Sequence, residues 1–217
     1  MSVVGVLLAG WSSNSKYSLI GAMRSGAQIV SYELSVGLAL VTIVILAGSM
    51  QLSVIVEAQR DGWFIFKGHI SAIIAFVIYV VAGTAETNRG PFDLAEAESE
   101  LTAGYHTEYS GMKFALFFVA EYIKCIAVSM IGATLFLGGY SGPFVHEFPV
   151  LGPLYLTLKV AIWLFVMIWI RATLPRFRYD KLMAFGWKVL FSLALFMALY
   201  RYASPKRLAW SGALLAS

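Results

Sequence analysis

Leu34-Ser-Val-Gly-Leu-Ala-Leu-Val-Thr-Ile-Val-Ile-Leu-Ala-Gly-Ser-Met-Gln-Leu-Ser-Val-Ile-Val56 runs for 23 residues without an Asp, Glu, Lys or Arg. As a helix rising 1.5 Å per residue it would extend about 35 Å, enough to cross a hydrocarbon layer about 30 Å thick. Residues 125 to 146 are equally free of charge, and residues 68 to 85 carry nothing ionisable beyond His69. The stretches 148 to 170 and 182 to 200 are each interrupted by one lysine, Lys159 and Lys188. Full spans are therefore expected near 28–49, 69–85, 112–138, 153–172 and 182–200. The composition agrees: 59% of residues are hydrophobic, 13% are charged and the mean hydropathy is +0.77. The fold class read from this is all-α, a polytopic transmembrane helical bundle with about five full spans and a partial one at the N-terminus.

The partial span is the uncharged stretch 1 to 15, too short to cross and without the basic start of a signal peptide. It reads as the end of a further helix, with an upstream portion missing, encoded separately or lost to a mis-called start. Charges in the connections set an orientation. Lys16, Arg24, Arg89, Lys113, Arg171, Arg176, Arg178 and Lys181 fall on one side, against Arg60, Lys67, Arg201, Lys206 and Arg207 on the other. The positive-inside rule then puts the 86–110 connection and the 171–181 connection on the cytoplasmic (or matrix) side. No repeat or charged linker divides the chain, so residues 1–217 read as one membrane domain. The sequence pI of about 9.2 reflects topology and anionic lipid, because no basic stretch is interleaved with aromatics for nucleic acid. Cys125 is the only cysteine, so this chain builds no disulfide or iron-sulfur site of its own, and no prosthetic group is expected on it.

Six of the twelve acidic residues lie between Glu86 and Glu108: Glu86, Asp93, Glu96, Glu98, Glu100 and Glu108. Pro91 suits a first helical position and Gly104 a helix end, which frames a short helix over about 92 to 103. On it Asp93, Glu96 and Glu100 share a stripe while Glu98 points away. First-turn acids are favoured by the helix dipole and could simply face water. That explains Glu100 and Glu108 poorly, since they sit at or beyond the opposite end. Crowded carboxylates under a low-dielectric roof are instead pushed toward proton exchange near neutrality. Inside the spans, Glu33 follows Ser31-Tyr32, and Glu121 and Lys124 are one turn apart. A helix-end Glu can snorkel and an i,i+3 pair can be a neutral bridge, yet an intramembrane ionisable group reads first as part of an ion path. Together these residues suggest a polar file from the acidic connection into the membrane. His69, His106 and His146 lack ligand spacing, and no Ser-His-Asp order, Walker loop or Rossmann glycine pattern is present. The run Arg171, Arg176 and Arg178 is denser than a topological anchor requires, and suits a partner subunit, an anionic headgroup or the acidic connection itself.

Four stretches carry a family resemblance: Ala85-Glu-Thr-Asn-Arg-Gly-Pro-Phe-Asp-Leu-Ala-Glu-Ala-Glu-Ser-Glu-Leu101 with Gly104-Tyr-His-Thr-Glu-Tyr-Ser-Gly111, Phe117-Phe-Val-Ala-Glu-Tyr122, Ala27-Gln-Ile-Val-Ser-Tyr-Glu33, and Ile170-Arg-Ala-Thr-Leu-Pro-Arg-Phe-Arg-Tyr-Asp-Lys-Leu-Met183. The chain resembles the family of quinone-site membrane subunits of NADH-quinone oxidoreductase, respiratory complex I, from the end of the third of eight membrane helices through the eighth. The resemblance implies a membrane subunit that forms part of the quinone chamber, with ubiquinone or menaquinone as substrate. It implies an acidic path of Glu33, Glu86, Asp93, Glu96, Glu98 and Glu121 that couples quinone reduction to proton translocation, with Arg89 and Lys124 as counter-charges. Glu100, Glu108, Arg171, Arg176, Arg178 and Asp180 would then face the chamber or the peripheral arm. The implied partners are peripheral-arm iron-sulfur subunits, antiporter-like and small membrane subunits, the lipid bilayer, and a companion polypeptide supplying the upstream helices. A bacterial cytoplasmic membrane is the implied location, ahead of a mitochondrial or plastid inner membrane. The competing readings are a homologous membrane subunit of a group 4 hydrogenase, a stand-alone ion transporter and a structural scaffold. The closeness of the acidic and Arg-Phe-Arg-Tyr-Asp motifs weighs against the first, and the lack of paired broken helices against the second.

Overall fold

The computed structural model describes residues 2–60, 62–67, 69–88, 92, 108–143, 145, 150–175 and 177–203. In chain order the helices are α1 (Ser2–Ser12), α2 (Lys16–Ala47), the short α3 (Leu52–Glu57) and α4 (Phe64–Lys67), α5 (His69–Glu86), α6 (Gly111–Phe136), α7 (Leu151–Thr173) and α8 (Tyr179–Ala203). No strand occurs among the described residues. Four helices, α2, α6, α7 and α8, are long and apolar enough to cross a membrane. With its 18 residues, α5 is about 27 Å long, close to the thickness of the hydrocarbon layer. The bundle is therefore the expected one, with α1 as the partial element.

One boundary differs from expectation. Helix α2 has 32 residues and starts at Lys16, well before the anticipated residue 28. Lys16 and Arg24 mark where the chain leaves hydrocarbon, but lysine and arginine are good helix formers and do not stop a helix. Its other end is set by Gly48, whose φ of 74° and N–H bond to the Val44 carbonyl close the last turn. Before Lys16, Asn14 in a left-handed conformation turns the chain so that α1 lies back along α2. That hairpin is close because Gly10 meets Ala22 and the Ser18 carbonyl, an approach only a side-chain-free residue permits.

Helix α2 is the centre of the bundle, packed by α1, α5 and α8. Helix α5, which packs on it, carries the small residues Ala72, Ala75, Ala82 and Ala85, all buried. Small residues let backbones approach in a lipid solvent, where dispersion and buried hydrogen bonds drive packing. A second layer is aromatic. Tyr79, Phe76, Phe136 and Trp163 meet edge-on or tilted with centroids 5.3 to 5.7 Å apart, and the Tyr79 hydroxyl donates to the Val128 carbonyl at 2.8 Å. In α8 the segment Gly186–Phe191 is a π-helical stretch, and two bonds, one from this stretch and one just before it, seat α8 on α2. The Tyr32 hydroxyl donates to the Leu182 carbonyl at 3.0 Å and the Trp187 indole N–H donates to Ser31 Oγ at 3.0 Å. Lys159, visible in the sequence only as an interruption, is buried in α7. Its ammonium donates to the Gly139 and Ser141 carbonyls at 2.8 and 2.7 Å and lies over the Trp63 ring. It thereby ties the turn after α6 to α7, and two backbone carbonyls of that turn gain a charged donor.

Candidate functional site

The last turn of α5 ends at Glu86, partly buried, where the chain enters the acidic connection. Across from it on α6, Lys124 reaches Glu86 with Nζ to Oε1 at 3.4 Å, the two side chains 21% and 15% exposed. Each side chain is thereby drawn partly out of solvent and placed against a group of opposite charge. Beside it lies a cavity of about 250 Å3, roomy enough for several waters at about 30 Å3 each. Its wall comprises Gly5 and Val6 of α1, Ile29 of α2, Thr87 and Asn88 just after α5, and Phe117, Ala120, Glu121 and Lys124 of α6. Glu121 thus faces the same space as Lys124. Helical spacing explains why: residues 117, 121 and 124 recur at i, i+4 and i+7 on one face of α6.

The floor of this region is polar in a way the sequence reading did not register. Gln28, fully buried on α2, donates from Nε2 to the Ala85 carbonyl at 2.9 Å and to the Phe92 carbonyl at 2.8 Å. Asn88 donates to Ser25 Oγ at 3.3 Å. Among the described residues, Gln28 Oε1 and Asn88 Oδ1 are buried acceptors that no donor meets, the kind of group that ordered water ordinarily satisfies. The one sequence signal was a glutamine and serines spaced along an otherwise apolar helix, at 25, 28 and 31. At the far end of the acidic connection, Tyr109 is pinned to α1: its hydroxyl donates to the Ala9 carbonyl at 3.1 Å and shares a 2.8 Å bond with Ser12 Oγ.

Of the sequence-predicted residues, Glu86, Glu121 and Lys124 come together here. The sequence left Glu121 and Lys124 open between a bridge along one helix and an ion path; in the structure Lys124 also reaches across to Glu86. Glu33 does not line this cavity; it is exposed near the middle of α2. Glu108 is exposed in the turn before α6. Arg171 is exposed in the last turn of α7 and borders a second cavity of about 90 Å3 with Thr84, Thr87, Tyr122 and Cys125. Arg178 and Asp180 form a 3.3 Å pair, both largely exposed, a pairing worth little in water. Arg89, Asp93, Glu96, Glu98, Glu100 and Arg176 lie outside the described residues, as does the helix expected over 92 to 103 apart from Phe92.

Known proteins share this chain's sequence over most of its length. The family model described as NADH dehydrogenase matches residues 1–202. The chain is 56% identical over 203 residues to the NADH-quinone oxidoreductase H-subunit of Phocaeicola vulgatus, covering 90% of this chain and 57% of that protein. It is 51% identical over 209 residues to NADH-quinone oxidoreductase subunit 8 of Rhodothermus marinus, covering 90% of this chain and 61% of that one. To the H-subunit of Burkholderia ambifaria it is 52% identical over 198 residues, with 87% and 55% covered. The chain therefore spans a little over half the length of these bacterial relatives, and over that span it belongs to the NADH dehydrogenase family.

Proposed function

We propose that this chain acts, as a single membrane domain, in a proton-translocating NADH:quinone oxidoreductase, and that the Glu86–Lys124 pair with the adjoining cavity lined by Lys124 and Glu121 is one stretch of its proton path. The observation that carries the reading is the semi-buried Glu86–Lys124 pair beside a cavity that also holds Glu121 and Asn88. A carboxylate held by one movable cation, next to space for water, can pass a proton when the local charge changes. Reduction of a quinone takes up two protons, and such an event near the acidic connection would change the charge that these groups face. Within this reading Asp93, Glu96 and Glu98 continue the path with Arg89 as counter-charge. Glu100, Glu108, Arg171, Arg176, Arg178 and Asp180 face the quinone chamber or the peripheral arm.

The chain supplies walls and protonatable groups, while electrons reach the quinone from iron-sulfur subunits. Glu33 supports an assembled state, since an outward carboxylate midway along a spanning helix is costly in lipid; a small or antiporter-like membrane subunit would cover that face. The bacterial cytoplasmic membrane is the proposed location. Purification from mild detergent followed by mass spectrometry tests the reading. Flavin and iron-sulfur subunits together with antiporter-like subunits are expected alongside this chain. Recovery of a nickel-iron hydrogenase, or of this chain by itself, would overturn it.

A further inference from the structure

Among the described residues, the side chain of Phe92 brings the acidic connection against the basic connection between α7 and α8. Phe92 is buried and stacks on Phe177 with ring centroids 5.7 Å apart and planes inclined by 17°. Its other neighbour is Tyr32 of α2, at 6.1 Å. Its backbone is fixed as well, because the Gln28 amide donates at once to the Phe92 carbonyl and to the Ala85 carbonyl at the end of α5. Both Gln28 donors are spent on holding the carbonyls of residues 85 and 92 against α2, so the ring of Phe92 has a defined place from which to meet Phe177. The two connections carry opposite charge, Glu86 on one side and Arg171 and Arg178 on the other. Exposed charges hold a distance poorly, whereas a stacked ring on a doubly anchored backbone holds it well.

We infer that Phe92, seated by Gln28, is a positioning residue that joins the acidic connection to the basic 174–178 connection, so that the two act as one unit in the reaction proposed above. The inference rests on that proposed function. It assigns Phe92 and Phe177 no contact with substrate; they act by fixing the distance between charged segments.

The test uses the whole complex carrying Phe92→Ala, Phe92→Tyr, Phe177→Ala and the double variant Phe92→Cys/Phe177→Cys. NADH oxidation by a water-soluble artificial acceptor reports assembly and electron entry, and is expected to match wild type. Quinone-dependent kcat is expected to fall about tenfold in Phe92→Ala, as a misplacement of about 1 Å allows, with the KM for quinone little changed. Phe92→Tyr, which keeps the ring, is expected to restore it. Phe177→Ala removes a half-exposed ring and leaves the core intact, so it gives the same kcat loss even if Phe92→Ala fails to assemble. Joining the two cysteines with a short bifunctional thiol reagent is expected to raise kcat back toward wild type, with no effect on either single cysteine. Unaltered kcat in Phe177→Ala, or turnover abolished by the cross-link, would overturn the inference while leaving the proposed function standing. A wild-type complex with no quinone-dependent turnover would remove the function and the inference together.

Discussion

Lys124→Ala is expected to destabilise the subunit by about 1–3 kcal/mol, because it leaves the Glu86 carboxylate semi-buried without this cation. The cost belongs to the orphaned charge more than to the lost bond. Lys124→Ala combined with Glu86→Gln should therefore recover most of the loss, and the two substitutions should be strongly non-additive. Release of this subunit from the detergent-solubilised complex on heating is the readout, with the single and double variants run in parallel. Equal release from both would mean that the pair is an incidental approach of two solvated chains.

Gly132→Val is expected to be the most damaging packing change. A Cβ built on Gly132 would lie 2.8 Å from two atoms of the Trp163 ring and one of the Tyr79 ring. Both rings are locked, Tyr79 by its bond to Val128 and each by its aromatic neighbours. Neither ring can swing aside as a flexible aliphatic tip would, so α6 must move away from α5 and α7. Overpacking of this kind costs about 3 kcal/mol, toward the upper end of such substitutions, with the branched Val side chain adding to the Cβ clash. The check is the same heating assay together with the yield of assembled complex. Wild-type yield would show that the contact between these three helices is looser than its geometry.

Much of this architecture was legible in the sequence because lipid imposes a length. Predominantly apolar runs near the membrane thickness locate α5, α6, α7 and α8 to within a few residues, whatever their tertiary partners. The start of α2 was less legible for the opposite reason. Lys16 and Arg24 report a polar surrounding, and a helix continues through such a boundary when nothing breaks its backbone. The site shows the same division. Acidic residues in an oily chain announce themselves as costly, which is how Glu86 and Glu121 were found. Lys124 bonds to a residue 38 positions earlier, a partner that helical spacing cannot supply; the sequence offers only the neighbouring Glu121 as a local alternative. Gln28 does not break the apolar pattern strongly, and Lys159, which does, shows in the sequence only as an interruption. Their roles consist of carbonyls contributed by other segments, Ala85 and Phe92 for the one, Gly139 and Ser141 for the other.

Aromatic contacts are concealed in a similar way. Phe92 lies in a segment whose acids dominate any reading of its chemistry, yet its ring and carbonyl define where it sits against α2 and the α7–α8 connection. A site can therefore be announced by its charges and still be held by groups that carry none.

The most direct test of the proton path is the number of protons translocated per electron in sealed membrane vesicles containing Glu86→Gln or Glu121→Gln. Glutamine keeps the volume and the hydrogen-bonding reach of each side chain and removes its ability to exchange a proton. Both variants are expected to assemble and still oxidise NADH with an artificial acceptor, while proton translocation per electron falls well below wild type. An unchanged proton-to-electron ratio in both would contradict the path, and would leave the Glu86–Lys124 pair as a structural bridge beside an ordinary hydrated cleft.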